Sequence, residues 1–108
     1  MELEIQTRQI DLDPAWRDLT ERLAERLATR YPEMLRLHVT VKHVPHHRRG
    51  LEEVALLANV EGVTLRADKQ EEHVRTALHA AFKALAVELE RHHHERRRVF
   101  PVGERARA

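Results

Sequence analysis

Residues 35–44 read Leu-Arg-Leu-His-Val-Thr-Val-Lys-His-Val, and this alternation decides the fold. Leu35, Leu37, Val39 and Val41 are expected on one side, with Arg36, His38, Thr40 and Lys42 on the other. That two-residue period is the mark of a half-buried strand, here with a basic outward row. Downstream, Pro45 through Gly50 (Pro-His-His-Arg-Arg-Gly) predicts a turn, with Gly50 free to adopt positive φ. Residues 52–60 predict the next strand, with Ala55 and Leu57 outward. The Glu61-Gly62 pair then turns the chain tightly into a last strand over residues 63–67. Together the three strands predict an antiparallel meander.

Upstream, Leu3, Ile5 and Thr7 alternate with Glu2, Glu4 and Gln6, which predicts an opening strand. Asp13-Pro14 begins a helix, Asp13 as N-cap and Pro14 in the first helical position. Trp16, Leu19, Leu23 and Leu27 recur every three or four residues up to about Arg30, where Tyr31-Pro32 ends the helix. A second, longer helix is expected near Gln70, with Asp68 as N-cap and Glu71 completing a capping box. Its apolar stripe is Val74, Ala77, Leu78, Ala81, Phe82, Leu85 and Leu89. Acids in its first turn and arginines at its end suit the helix dipole. The order is β-α-β-β-β-α, an α+β fold in which two amphipathic helices cover one face of a four-stranded sheet. Residues 1–98 are expected to form one domain, and residues 99–108 a flexible C-terminal tail.

The 108 residues suffice for one domain that buries about two-thirds of its unfolded surface. A chain 42% hydrophobic and 34% charged has a globular balance, and the absence of Cys excludes disulfides, thiolate metal sites and thiol catalysis. No apolar run approaches a membrane span, and the acidic start Met1-Glu2-Leu3-Glu4 does not read as a signal peptide. A cytoplasmic protein without a membrane partner is the expectation.

The formal net charge of +1 conceals strong segregation. Residues 1–34 carry five Arg against eight acids, and residues 51–90 carry four bases against eight acids. Residues 35–50 carry Arg36, Lys42, Arg48 and Arg49 with no acid, and residues 91–108 carry six Arg against two Glu. Seven of the nine His lie in those two basic blocks, where they can add positive charge beside phosphate. Two concentrated basic segments on a near-neutral chain point to a local polyanion contact, against the plainer reading of solvated faces.

Several of these features together resemble the ribosome hibernation-promoting factors, also called ribosome-associated translation inhibitors or sigma-54 modulation proteins. They are the opening strand, the Asp13-Pro14-Ala15-Trp16-Arg17 helix start, the Leu35–Lys42 strand, the Glu61-Gly62 hairpin, and Ala67 to Glu72 leading into a long helix with a basic end. The resemblance covers about residues 1–98. It implies a βαβββα domain shaped like double-stranded RNA-binding domains. It also implies docking on the small ribosomal subunit and its RNA, in the channel used by messenger and transfer RNA, so that translation is blocked under stress. Without the C-terminal dimerisation domain of long-form members, the chain resembles a short form. It departs from the family pattern on the second helix, where the usual Lys and Arg fall on Ala84 and Val87. Either the basic footprint has moved toward Arg91–Arg98 and Lys42–Arg49, or the member has specialised.

The candidate phosphate contacts are Lys42, Arg48, Arg49, Lys83, Arg91, Arg96, Arg97 and Arg98. Engagement of six gives a log-affinity against log-salt slope of roughly −4 to −5. Arg17 and Arg22, in an acidic stretch, are expected to matter far less. His43, His46 and His47 could converge on a metal, but with no Cys and no clear carboxylate partner no metal or cofactor is assigned. Trp16, Tyr31 and Phe82 read as core, and aromatic content of 4% argues against a base-stacking sheet. No phosphate-cradling loop, nucleophile elbow or paired-His metalloprotease motif is present, so no enzyme is expected, and no DNA partner. The rival to ribosome binding is a protein-interaction or dimerisation module on the same fold, motivated by Ala55 and Leu57; the first reading expects a monomer.

Overall fold

The computed structural model describes residues 1–45 and 51–107, with side chains described up to residue 95. Six elements follow in the expected order: β1 (Glu2–Arg8), α1 (Pro14–Arg30), β2 (Met34–Val44), β3 (Leu51–Val60), β4 (Val63–Glu71) and α2 (Val74–Arg107). The sheet order is β1-β2-β3-β4, with β1 parallel to β2 and the other pairs antiparallel. A parallel neighbour requires a crossover, and α1 supplies it.

Local chemistry fixes each boundary of α1. The Asp13 carboxylate accepts from the Ala15 N–H at 2.8 Å, and its backbone carbonyl accepts from Trp16 and Arg17. At the far end the Tyr31 N–H donates to the Leu27 carbonyl at 2.7 Å, just before Pro32 stops propagation. Gly62 closes the β3–β4 turn at φ +79°, the left-handed region where a side chain is strained.

The core lies between the sheet and the helices. Leu37, Val39 and Val41 of β2, with Val54, Leu56 and Ala58 of β3, are wholly buried against the α2 stripe of Val74, Ala77, Leu78, Ala81, Phe82, Leu85 and Leu89. Leu19 and Leu27 of α1 join them, while Trp16 and Leu23 pack on the margin. Among the described residues Thr20 is the buried polar side chain, and its hydroxyl donates to the Trp16 carbonyl at 2.7 Å.

Two expectations need correction. Leu35 is not in the core: Met34 pairs with Val60 and Arg36 with Asn59, so a bulge falls at Leu35 and leaves it 55% exposed. Met34, one residue earlier, takes the buried position. The last strand is also longer than residues 63–67, and α2 starts at Val74, not near Gln70. Asp68, Lys69, Gln70 and Glu71 continue the ladder against Ala55, Val54, Glu53 and Glu52. Asp68 therefore caps no helix. Those four residues lack apolar alternation, and the pairing with β3 alone holds them extended. At its other end α2 extends to Arg107.

Candidate nucleic-acid interface

The sheet face turned away from the helices can be written out from the strand register. Its rows are Glu2–Arg36–Asn59–Thr64, Glu4–His38–Leu57–Arg66, Gln6–Thr40–Ala55–Asp68 and Arg8–Lys42–Glu53–Gln70. These rows line a shallow trough of about 570 Å³. The basic row of β2 is thus answered by acids of β1. Both Nε and Nη2 of Arg36 donate to Glu2, at 3.2 and 2.8 Å, and that hydrogen bond holds the guanidinium more firmly protonated. His38 lies 3.4 Å from Glu4 and 3.3 Å from Gln6. Four cations meet four acids on this face, so it offers no net attraction to a polyanion. Lys42, beside Arg8 and Glu53, is part of this face.

The helical layer is different. Arg22, Arg26 and Arg30 recur every four residues on α1, which stacks them in one row on successive turns. On α2, Lys83, Val87 and Arg91 form a row with the same spacing. Arg26 and Arg30 face Lys83 and Val87 across a groove of about 400 Å³ that also involves Leu27, Ala86 and Tyr31. Arg91 is exposed, 3.4 Å from Glu88. Arg22 and Arg26 escaped the charge reading because Asp18, Glu21 and Glu25 sit between them in sequence or close beside them. The spacing of four was the signal that separates the cations onto their own row.

The groove ends in a polar cluster where α1, β2 and α2 meet. The Tyr31 hydroxyl donates to Glu90 Oε2, and Arg30 lies 3.8 Å from the same oxygen, its guanidinium over the Tyr31 ring at 5.6 Å. His94 is 3.1 Å from Glu90, and His93 is 3.1 Å from Glu33. Burial, then the Glu90 hydrogen bond, pushes the Tyr31 phenol up. The Tyr31 hydrogen bond in turn holds the Glu90 carboxyl below its ordinary range.

The predicted site residues therefore divide. Lys83 and Arg91 stand on α2, on the helical layer. Lys42 stands across the sheet, and along β2 it is roughly 26 Å from Met34, near the end where Glu90 and His93 dock. Arg48 and Arg49, with His46 and His47, lie outside the described residues. Arg96, Arg97 and Arg98 continue α2, and their side chains are not among those described. His43 does have a carboxylate neighbour, Glu52 at 2.8 Å. Among the described residues no group of three His, Cys, Asp or Glu is arranged to hold a metal ion. No described helix is long and apolar enough to cross a membrane.

A small α+β domain with rows of cations on its two helices and an ion-paired sheet face defines the class. The sequence matches the family described as sigma 54 modulation protein / S30EA ribosomal protein over residues 3–97, and the chain belongs to that family of ribosome-associated proteins. Its fold is similar to a ribosomal subunit interface protein from Coxiella burnetii, with TM-score 0.76 and 18% identity over 85% of this chain and 97% of that one. It is also similar to the Protein Y N-terminal domain of Thermus thermophilus, with TM-score 0.71 and 17% identity over 84% of this chain and 98% of that one. Comparison with curated proteins gives no match.

Proposed function

We propose that the chain binds ribosomal RNA of the small subunit through its helical layer and inhibits translation by occupying the tRNA and mRNA channel. The observation that carries this reading is the groove that sets Arg26 and Arg30 of α1 opposite Lys83 of α2, with Arg22 and Arg91 further along the same rows, in a member of a ribosome-associated family. Cations on adjacent turns match a line of phosphates, and each engaged phosphate releases counterions. Arg96, Arg97 and Arg98 extend the same helix and would lengthen the contact; Lys42, Arg48 and Arg49 would serve a second contact at the hairpin end. The action is steric and cytoplasmic, with the protein as a monomer and no bond made or broken.

Co-sedimentation with purified ribosomes at two salt concentrations tests it. Co-migration with the small subunit or the whole ribosome at low salt, reduced at high salt, supports the reading. Protein remaining at the top of the gradient at both salts removes it.

A second reading has its own observation. The open sheet face is charge-balanced and carries Ala55 and the 36% exposed Leu57, a composition suited to a protein surface. It predicts dimerisation insensitive to salt, read as a concentration-dependent mass.

A further inference from the structure

The groove between the helices is not simply a row of charges. Its floor is apolar, formed by Leu27, Ala86 and Val87, and Val87 is 53% exposed in the middle of a cationic row. Between Lys83 and Arg91, Val87 gives a ligand an apolar surface to cover beside the cations. On the opposite wall, the largely exposed Arg30 lies 3.8 Å from Glu90, with its guanidinium over the Tyr31 ring at 5.6 Å. Guanidinium planes are stacking surfaces for unpaired bases.

We infer that this groove takes a single unstacked RNA nucleotide, its base between Arg30 and Val87 and its phosphate toward Arg26 and Lys83. This inference rests on the RNA-binding reading above and names the chemical class that the groove selects. Charge places the two ends of the nucleotide. The anionic Glu90 at one end of the groove repels phosphate, and the Arg26–Lys83 end attracts it. A regular duplex cannot satisfy this site, because its bases are stacked and paired and offer only phosphate to the groove. The ligand is therefore a loop, bulge or end of ribosomal RNA, as most sequence-selective RNA contacts are.

Fluorescence anisotropy with three labelled RNAs tests the inference: a ten-nucleotide A-rich single strand, the same strand with its central bases replaced by abasic ribose, and a duplex of equal length. The intact strand should bind about fivefold to tenfold more tightly than the abasic one. R30K keeps the charge and removes the plane, so it should erase most of that difference while leaving the salt dependence in place. V87K should favour the duplex and lose the preference for bases. Equal binding of intact and abasic strands, or no binding of either, overturns the nucleotide site. A preference unchanged in R30K overturns the assignment of Arg30. Ribosome co-sedimentation on the same preparation then reports separately whether the RNA-binding reading stands.

Discussion

The Tyr31 hydroxyl donates a hydrogen bond to Glu90 across 59 residues of sequence, tying the end of α1 to the middle of α2. Arg30, in the last turn of α1, places a cation at the negative end of that helix's dipole. The bond also sets Glu90 beside Arg30 at one end of the groove. Tyr31 is thus a structural residue.

Y31F should lower the melting temperature at pH 7 by a few degrees, since the hydroxyl is removed and the Glu90 carboxylate loses its donor. Because the Glu90 carboxyl is held below its ordinary range, its contribution is full above the unfolded carboxylate value and is lost as pH falls through the folded one. The gap between wild type and Y31F should therefore shrink as pH falls through and below the ordinary carboxylate range. In the alkaline direction, the raised phenol withdraws its stabilisation as pH rises through the folded Tyr31 value. Thermal unfolding of both proteins across pH checks this; a gap independent of pH contradicts the role of Glu90.

Neutralising one cation of the helical layer should weaken ribosome binding and reduce the magnitude of the log-salt slope by about 0.7–0.9 for each phosphate no longer engaged. R26Q and K83Q should each do this. R17Q should not, because Arg17 lies nine residues before Arg26, about half way round the helix. Arg22, expected from its acidic neighbours to matter far less, begins the row, and R22Q should behave like R26Q. Equal effects of R17Q and R26Q would remove the row as the binding element.

The bulge in β2 separates two leucines that look alike in sequence. L37A should cost about 2–5 kcal/mol, because Leu37 is fully buried in the core. L35T should change stability by less than about 0.5 kcal/mol, since Leu35 projects into solvent. Denaturant unfolding of the two variants measures both values, and comparable losses would mean that Leu35 packs inside.

At the β3–β4 turn, G62A should destabilise by about 1–2 kcal/mol. No atom lies within 4 Å of the added methyl, so the whole cost is in the backbone at φ +79°. An insertion at this turn that restores a relaxed backbone should recover most of the stability in the same unfolding assay.

Much of the fold can be read locally. The alternation from Leu37 to Val41, the Asp13-Pro14 helix start, the stripe from Val74 to Leu89 and the Glu61-Gly62 turn each depend on neighbours within four residues. Side-chain period and capping are properties of the chain itself. The end of β4 was not legible, because Asp68 to Glu71 read as a helix start and become a strand only when β3 supplies their hydrogen bonds.

The binding surface divides along the same line. Sequence alone determined that cations concentrate in residues 35–50 and 91–98 and that an amphipathic helix leads to the second cluster. Tertiary structure decided which cations stay open to a ligand. The parallel pairing of β1 with β2 sets Glu2 and Glu4 beside Arg36 and His38, cancelling a row that is basic by itself. The crossover lays α1 beside α2, so that Arg26 and Arg30 meet Lys83 and Val87 across a groove. Charge along a chain is fixed by sequence, but electrostatic potential depends on distance, and the distances are set by pairings dozens of residues apart.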